Sequence, residues 1–161
     1  MAVADFFLKI DGIDGESADH KHKGQIDLMS FSWGESNGGT FSTGGGGGAG
    51  KVSFQDLHVS THVSKASPKL MLACASGEHI KGAVLYVRKA GKDQQEFYNV
   101  KMSDVLISSY SSAASEGSPR PTDQFSLNFA KIEFEYKEQK ADGTLGGAIH
   151  GGWDLKANVK V

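Results

Sequence analysis

The chain has 161 residues, 39% hydrophobic and 22% charged, with 21 glycines, 3 prolines and a formal net charge of −2. That length suits one domain spanning 1–161 with a modest core, and the composition suits a turn-rich globular protein rather than a disordered one. The near-neutral balance excludes a sequence-wide basic surface for nucleic acid or an anionic membrane, and the lone Cys74 excludes an internal disulfide or a cysteine-built metal site. Folding in a reducing cytoplasm follows. Asp5 stands where a signal peptide carries basic residues, and no window approaches the ~18 uninterrupted apolar residues of a membrane span, so neither a signal peptide nor direct membrane insertion is expected.

Residues 2–10 open as a strand, followed by a polar loop carrying Asp11-Gly12, Asp14-Gly15 and His20-Lys21-His22-Lys23. The lysines would repel a cation, so His20 and His22 are expected in a solvated loop rather than at a metal. Residues 25–33 alternate, with Asp27, Met29, Phe31 and Trp33 on one side and Ile26, Leu28, Ser30 and Ser32 on the other. The heavier aromatic side is expected in the core, which leaves Ser30 and Ser32 to water or a partner. Gly34-Glu35-Ser36-Asn37-Gly38 matches G-x-S-x-G, but a nucleophile elbow turns from a strand into a helix, and this segment runs into glycines.

Those glycines, Gly44, Gly45, Gly46, Gly47, Gly48 and Gly50 with Ala49, precede Lys51 in an almost complete phosphate-binding loop. Val52 stands where Mg²⁺ needs a hydroxyl, and residues 52–57 alternate as a strand rather than starting a helix that would face phosphates. Glycine loses more backbone freedom on folding than any other residue, so a contact outside the subunit is expected to order this run.

His58 and His62 have the spacing of a helical metal pair, but on a strand four residues separate them by ~13 Å, too far to share one zinc ion. Ser67-Pro68 supplies an N-cap and a first-turn proline, and Gly77 the residue after the helix. Leu70, Met71 and Cys74 fall in one stripe of that helix and are expected to dock on the sheet, Cys74 as a small buried apolar residue. Residues 83–88 and 96–100 flank Gly91-Lys92-Asp93 as a hairpin, and 105–110 continue the sheet. Phe125, Leu127 and Phe129 are at odd positions while Ile132, Phe134 and Tyr136 are at even ones, which predicts a bulge or a crossing between sheets near Ala130. Glu133 and Glu135 share a face between Lys131 and Lys137, the pattern of a charged exterior rather than of a glycosidase pair. Residues 153–161 close the chain as a strand. The whole reads as mainly β, a small antiparallel β-barrel or two-sheet sandwich with one short flanking α-helix, and it carries no catalytic, metal or cofactor constellation.

Phe31-Ser32-Trp33-Gly34, residues 44–56 (GGGGGAGKVSFQD), residues 67–77 (SPKLMLACASG), Val87-Arg88-Lys89-Ala90-Gly91, residues 126–129 and Gln139-Lys140-Ala141-Asp142-Gly143 closely resemble the haemolysin-coregulated protein (Hcp) family. These are the tube-forming subunits of bacterial type VI secretion systems, and the resemblance runs in order from Ala2 to the C-terminal strand. It implies a non-enzymatic homo-hexameric ring that stacks into a hollow tube, with sheath, baseplate and spike proteins as partners. It also implies a protein that is cytoplasmic before firing and then secreted without a cleaved signal peptide, with some members holding small effector proteins in the lumen. The resemblance points Ser32, with Ser30 beside it, toward that lumen. The absence of an extra C-terminal domain argues against a fused toxin, and the loops 11–23 and 111–122 are less diagnostic.

Strands at both chain ends offer edges for neighbouring subunits; a closing head-to-tail contact makes a ring, and an axial one makes a filament of rings. The glycine run from Gly44 to Gly50 finds a use in the axial contact. The alternative is a monomeric ligand-binding β-barrel, which requires a closed apolar interior large enough for a small molecule.

Overall fold

A computed structural model describes residues 4–39, 50–89 and 94–161. In chain order the elements are β1 (Ala4–Ile10), β2 (Ile26–Leu28), β3 (Ser30–Ser32), β4 (Glu35–Asn37), β5 (Val52–Phe54) and β6 (Leu57–His62). They continue with α1 (Ala66–Ser76), β7 (Ile80–Lys89), β8 (Glu96–Ala113), β9 (Thr122–Gln139), β10 (Leu145–Asp154) and β11 (Val159–Lys160). Every strand pair is antiparallel.

The pairing closes on itself. β2 pairs β1, β1 pairs β7, β7 pairs β8, β8 pairs β9, β9 pairs β6 and β6 pairs β3. Only Met29 separates β3 from β2, and its N–H donates to Ser60 O at 2.8 Å. This circuit is the barrel, and closure removes the exposed edges an open sheet would present. The second half of β9 continues beyond it to β10 and β11, while β4 and β5 form a separate two-stranded ribbon. Leu8, Leu85, Val100, Met102 and Leu127 fill the interior with no exposed surface. Each such side chain contributes about 1.5–3 kcal/mol by leaving water.

Residues 25–33 do not form one strand. Ile26 and Leu28 are buried while Asp27 and Met29 are exposed, and beyond Met29 it is Phe31 and Trp33 that pack on the core. The buried side therefore switches at Met29, where the chain passes from partner β1 to partner β6. The aromatic side was the right one only for the second half.

Near Ala130 the structure contains a crossing and no bulge. β8 and β9 hold one register from Tyr98↔Tyr136 to Ile107↔Leu127. The buried positions nevertheless change parity in both strands, from Val105 and Ile107 to Val100 and Met102 in β8, and from Phe129 to Ile132 in β9. Opposite Ala130, Asp104 adopts φ 54°, a left-handed backbone that side-chain-bearing residues rarely take. At the same point the other edge of β9 exchanges β6 for β10. The register shift lies instead between Ile107 and Ser109.

The helix starts at Ala66, so Ser67 lies inside it rather than capping it. Its hydroxyl is drawn to the fully buried carboxylate of Asp123, to which Ser67 and Tyr110 both donate. A buried charge needs those donors more than the helix needs a cap. Gly77 ends the helix at φ 65° as expected. Ala66, Leu70 and Ala73 form the docking stripe, with Cys74 half-buried beside it and Met71 47% exposed.

The last strand signal, 153–161, divides into the end of β10, a turn and β11. Most of β10 gave no signal because Gly146, Gly147, Gly151 and Gly152 interrupt it. At Gly152 the reason is space: a Cβ there would lie 2.7 Å from Val161 Cγ2 and 3.2 Å from Ile132 O. Gly91, Lys92 and Asp93 lie outside the described residues, although Arg88↔Glu96 pairs across that connection.

Candidate functional site

Two open surfaces and one buried charge cluster stand out. The first surface is the outer side of β3, β6, β9 and β8, where cross-strand register lines up Ser30, Ser60, Gln124 and Ser111 in one row. Ser32, His58, Ser126 and Ser109 form the next. All of these but the buried Ser126 line a groove of about 350 Å³ with a hydroxyl-rich wall, over the edges of Phe31, Val59 and Phe125. Ser30 and Ser32 are both exposed here, brought together by the alternation that turns Phe31 inward. Ser30 Oγ lies 2.5 Å from Ser60 Oγ.

Next to Ser109, Ser108 Oγ donates to Asp56 Oδ2 at 2.6 Å, and Asn128 Nδ2 donates to Asp56 Oδ1 at 2.9 Å. His58 is exposed and His62 half-buried on the same strand. Among the described residues no three His, Cys, Asp or Glu side chains come together as a metal site. Sequence reasoning found Ser30 and Ser32 by alternation. It missed Ser60, Ser109, Ser111 and Gln124, because only the register across four strands places them together.

The second surface is an apolar cleft of about 470 Å³ between the β4–β5 ribbon and the second half of β9 with β10. Trp33, Phe54, Phe134, Tyr136, Ile149 and Trp153 line it. Trp33 packs on Phe134 with ring centres 5.5 Å apart and donates through Nε1 to Tyr98 Oη at 2.8 Å. Its rim is not covered, since Ile149 is 69% and Tyr136 42% exposed. Burial and the Trp33 bond, burial being the larger, respectively raise and lower the Tyr98 pKa, with a net rise. Glu133 and Glu135 lie on the opposite side of β9, within 3.6 Å of His150 and 3.8 Å of Lys137.

The third feature corrects the solvated-loop reading of His22. Its ring is buried, stacks on Phe7 at 4.3 Å, and places Nδ1 2.9 Å from Gln25 Oε1. Nε2 lies 2.6 Å from Glu96 Oε1, off the direction of a ring hydrogen bond. Beside it the buried Arg88 guanidinium pairs with Asp19 and, at 3.4 Å, with Asp5, and lies over the Phe7 ring. The hydrogen bond from Arg88 holds the Asp19 carboxyl at a pKa of about 2. Asp27 nearby is shifted the other way, upward, by partial desolvation of its carboxyl. The loop after β1 is thus clasped to the barrel by charges, which is structural work.

Of the glycine run, Gly44, Gly45, Gly46, Gly47, Gly48 and Ala49 lie outside the described residues. Gly50 is described, and its carbonyl accepts from Asn37 Nδ2 at 2.7 Å where β4 pairs β5. Lys51 leads into a strand rather than a helix. No helix among the described residues is long and apolar enough to cross a membrane.

The model of the family described as "Type VI secretion system effector, Hcp" matches residues 7–136. The chain belongs to the Hcp family. It is 45% identical to Protein hcp1 of Pseudomonas aeruginosa over 99% of both chains. Among solved structures, one described as a type six secretion system protein shares 33% identity with a TM-score of 0.94, over 99% of this chain and 100% of that one. Hcp1 from Salmonella typhimurium shares 34% identity with a TM-score of 0.81 over the full length of both. Membership makes this Hcp chain a structural, secreted tube protein of a type VI secretion system, not an enzyme, and gives it the secretion apparatus as its partner.

Proposed function

We propose that the chain acts as a one-domain subunit of a hexameric ring, that the rings stack into the hollow inner tube of the secretion system, and that the tube carries small effectors in its lumen. Sheath, baseplate and spike proteins are the apparatus partners in this reading. The observation that carries it is the open apolar cleft, in which Ile149 and Tyr136 stand exposed beside an otherwise continuous core. An apolar rim of this kind marks a surface built to be covered, and a second copy of the chain covers it in a ring. The alternative ligand-binding barrel draws no support, because Leu8, Leu85, Val100, Met102 and Leu127 fill the barrel interior.

The serine groove is the lumen face in this reading. Ser30 and Ser32 offer small, adaptable hydroxyls to varied cargo, and the groove carries no apolar rim that would bind a subunit permanently. The segment 38–50, including Gly44 to Gly50, serves the ring-to-ring contact, which ordering of glycine backbone weakens enough for later disassembly. Light scattering after size-exclusion chromatography, followed by negative-stain microscopy, tests the ring: a hexamer with an open centre is expected, and a monomer across a wide concentration range overturns it. Proline at Gly46 and Gly48 is expected to spare rings and impair tubes, and unchanged tubes remove the loop from the stacking contact.

A further inference from the structure

The register shift on β8 turns two consecutive serines toward one oxygen. Ser108 Oγ lies 2.7 Å and Ser109 Oγ 2.5 Å from Ser126 Oγ. Bulges commonly re-aim side chains in this way. A serine hydroxyl has a single proton, and a carboxylate only accepts. The Ser108 proton is committed to Asp56 Oδ2. The Ser108–Ser126 bond must therefore be donated by Ser126, and the Ser126–Ser109 bond by Ser109. Asn128 engages the other Asp56 oxygen and fixes the carboxylate, while Ser126 is only 2% exposed, so water does not compete for the middle of the chain. A charged acceptor at one end strengthens and polarises such a chain. Ser109 is left facing the groove with lone pairs alone.

The opposite wall has the reverse polarity. Ser30 and Ser60 share one hydrogen bond, which uses one proton and leaves the other hydroxyl free to donate outward. Ser60 on β6 lies two strand spacings, ~9.6 Å, across from β8 and one row, ~7 Å, along from Ser109, so the two stand diagonally across the groove. An extended chain alternates its hydrogen-bonding edges at successive residues, so one running along the groove meets such a staggered acceptor and donor with different peptide groups. Resting on the reading of this face as effector-binding, we infer that the groove takes an extended segment of effector polypeptide, with an N–H donated to Ser109 and a carbonyl accepting from Ser60, whose proton is free when Ser30 donates to it. Asp56 is the positioning residue, because it sets the direction of the whole hydroxyl chain without touching the occupant.

Neutron diffraction from crystals exchanged into D₂O reads the direction itself. The Ser109 deuteron is expected on the line to Ser126; a deuteron aimed into the groove overturns the inference. Binding is read by fluorescence anisotropy with a labelled alanine–serine heptapeptide and its backbone N-methylated counterpart, on rings verified by light scattering. Wild-type rings are expected to favour the N–H peptide by about fivefold, the worth of one net hydrogen bond. Ser109→Ala and Asp56→Ala are expected to abolish that preference while leaving the N-methylated peptide unchanged. Equal affinities in the wild type, or a preference that survives Ser109→Ala, overturn it. Absence of rings in the wild type overturns the ring reading instead, and if Asp56→Ala alone fails to assemble, Ser109→Ala and the neutron map decide.

Discussion

The two halves of β9 do opposite things on the same side of one strand. Gln124 presents its amide to a groove, with the buried Ser126 bonded to Ser109 at its edge, whereas Ile132, Phe134 and Tyr136, also at even positions, line an apolar cleft. The change falls at Ala130, where the paired strand takes the left-handed turn at Asp104 and β6 gives way to β10. A single strand can therefore build a surface whose polar groups satisfy one another and another whose apolar rim is left for a partner. The first suits transient contact with varied molecules, and the second suits a lasting contact with one.

The largest expected effect separates these surfaces at the apolar end. Ile149→Glu should leave folding within about 0.5 kcal/mol of wild type, because the side chain is 69% exposed in the subunit. In an assembled ring it would bury an unpaired charge, so light scattering is expected to show the hexamer lost and a folded monomer in its place. A hexamer that persists would take the cleft out of the subunit contact and leave the comparison without its lasting half.

Arg88→Met comes next and tests the clasp that belongs to neither surface. It strands Asp19 and Asp5 without their buried cation. Breaking such a pair costs about 3 kcal/mol, which for a chain of this size lowers Tm by roughly 6–12 °C. A thermal melt checks it, and a loss under 2 °C would mean that solvent already supports the two carboxylates.

How far these regions were legible in the sequence follows from which forces set them. The barrel, the helix and the odd-to-even change around Ala130 showed themselves because strand alternation and the glycine-stopped helix are local. Residues 25–33 misled because one apparent strand serves two partners, and the handover at Met29 is a tertiary event. β10 was silent because four glycines interrupt its alternation, and only at Gly152 does close approach require one. His22 looked solvated among lysines, yet its ring lies under Phe7 and Tyr86. Of the groove, alternation yielded Ser30 and Ser32; Ser109 and Ser126 needed a register shift that no pattern in β8 announces.

Ser32→Gln is a smaller perturbation at the polar end. Exposure of the site predicts an unchanged ring and a stability change within about 0.5 kcal/mol. The longer side chain should occupy the groove and reduce co-purification of a defined effector with intact rings. Equal recovery would remove Ser32 from the lumen contact while leaving the apolar cleft untouched, so the two surfaces fail independently.

The smallest expected effect is a pH dependence that neither surface should share. Asp19, held at a pKa of about 2 by Arg88, contributes stability that is present above its unfolded value near 3.8 and is lost as pH falls through 2. Asp27 has the opposite sign, since partial desolvation raises its pKa and protonation on acidification favours the folded form. Urea titrations from pH 5 to 2 in an Asp27→Asn background isolate the first contribution. The expected result is a decline across that window that Arg88→Met largely removes. A decline of equal size in both proteins would assign the acid sensitivity to other carboxylates and leave the clasp as packing around Phe7 rather than charge.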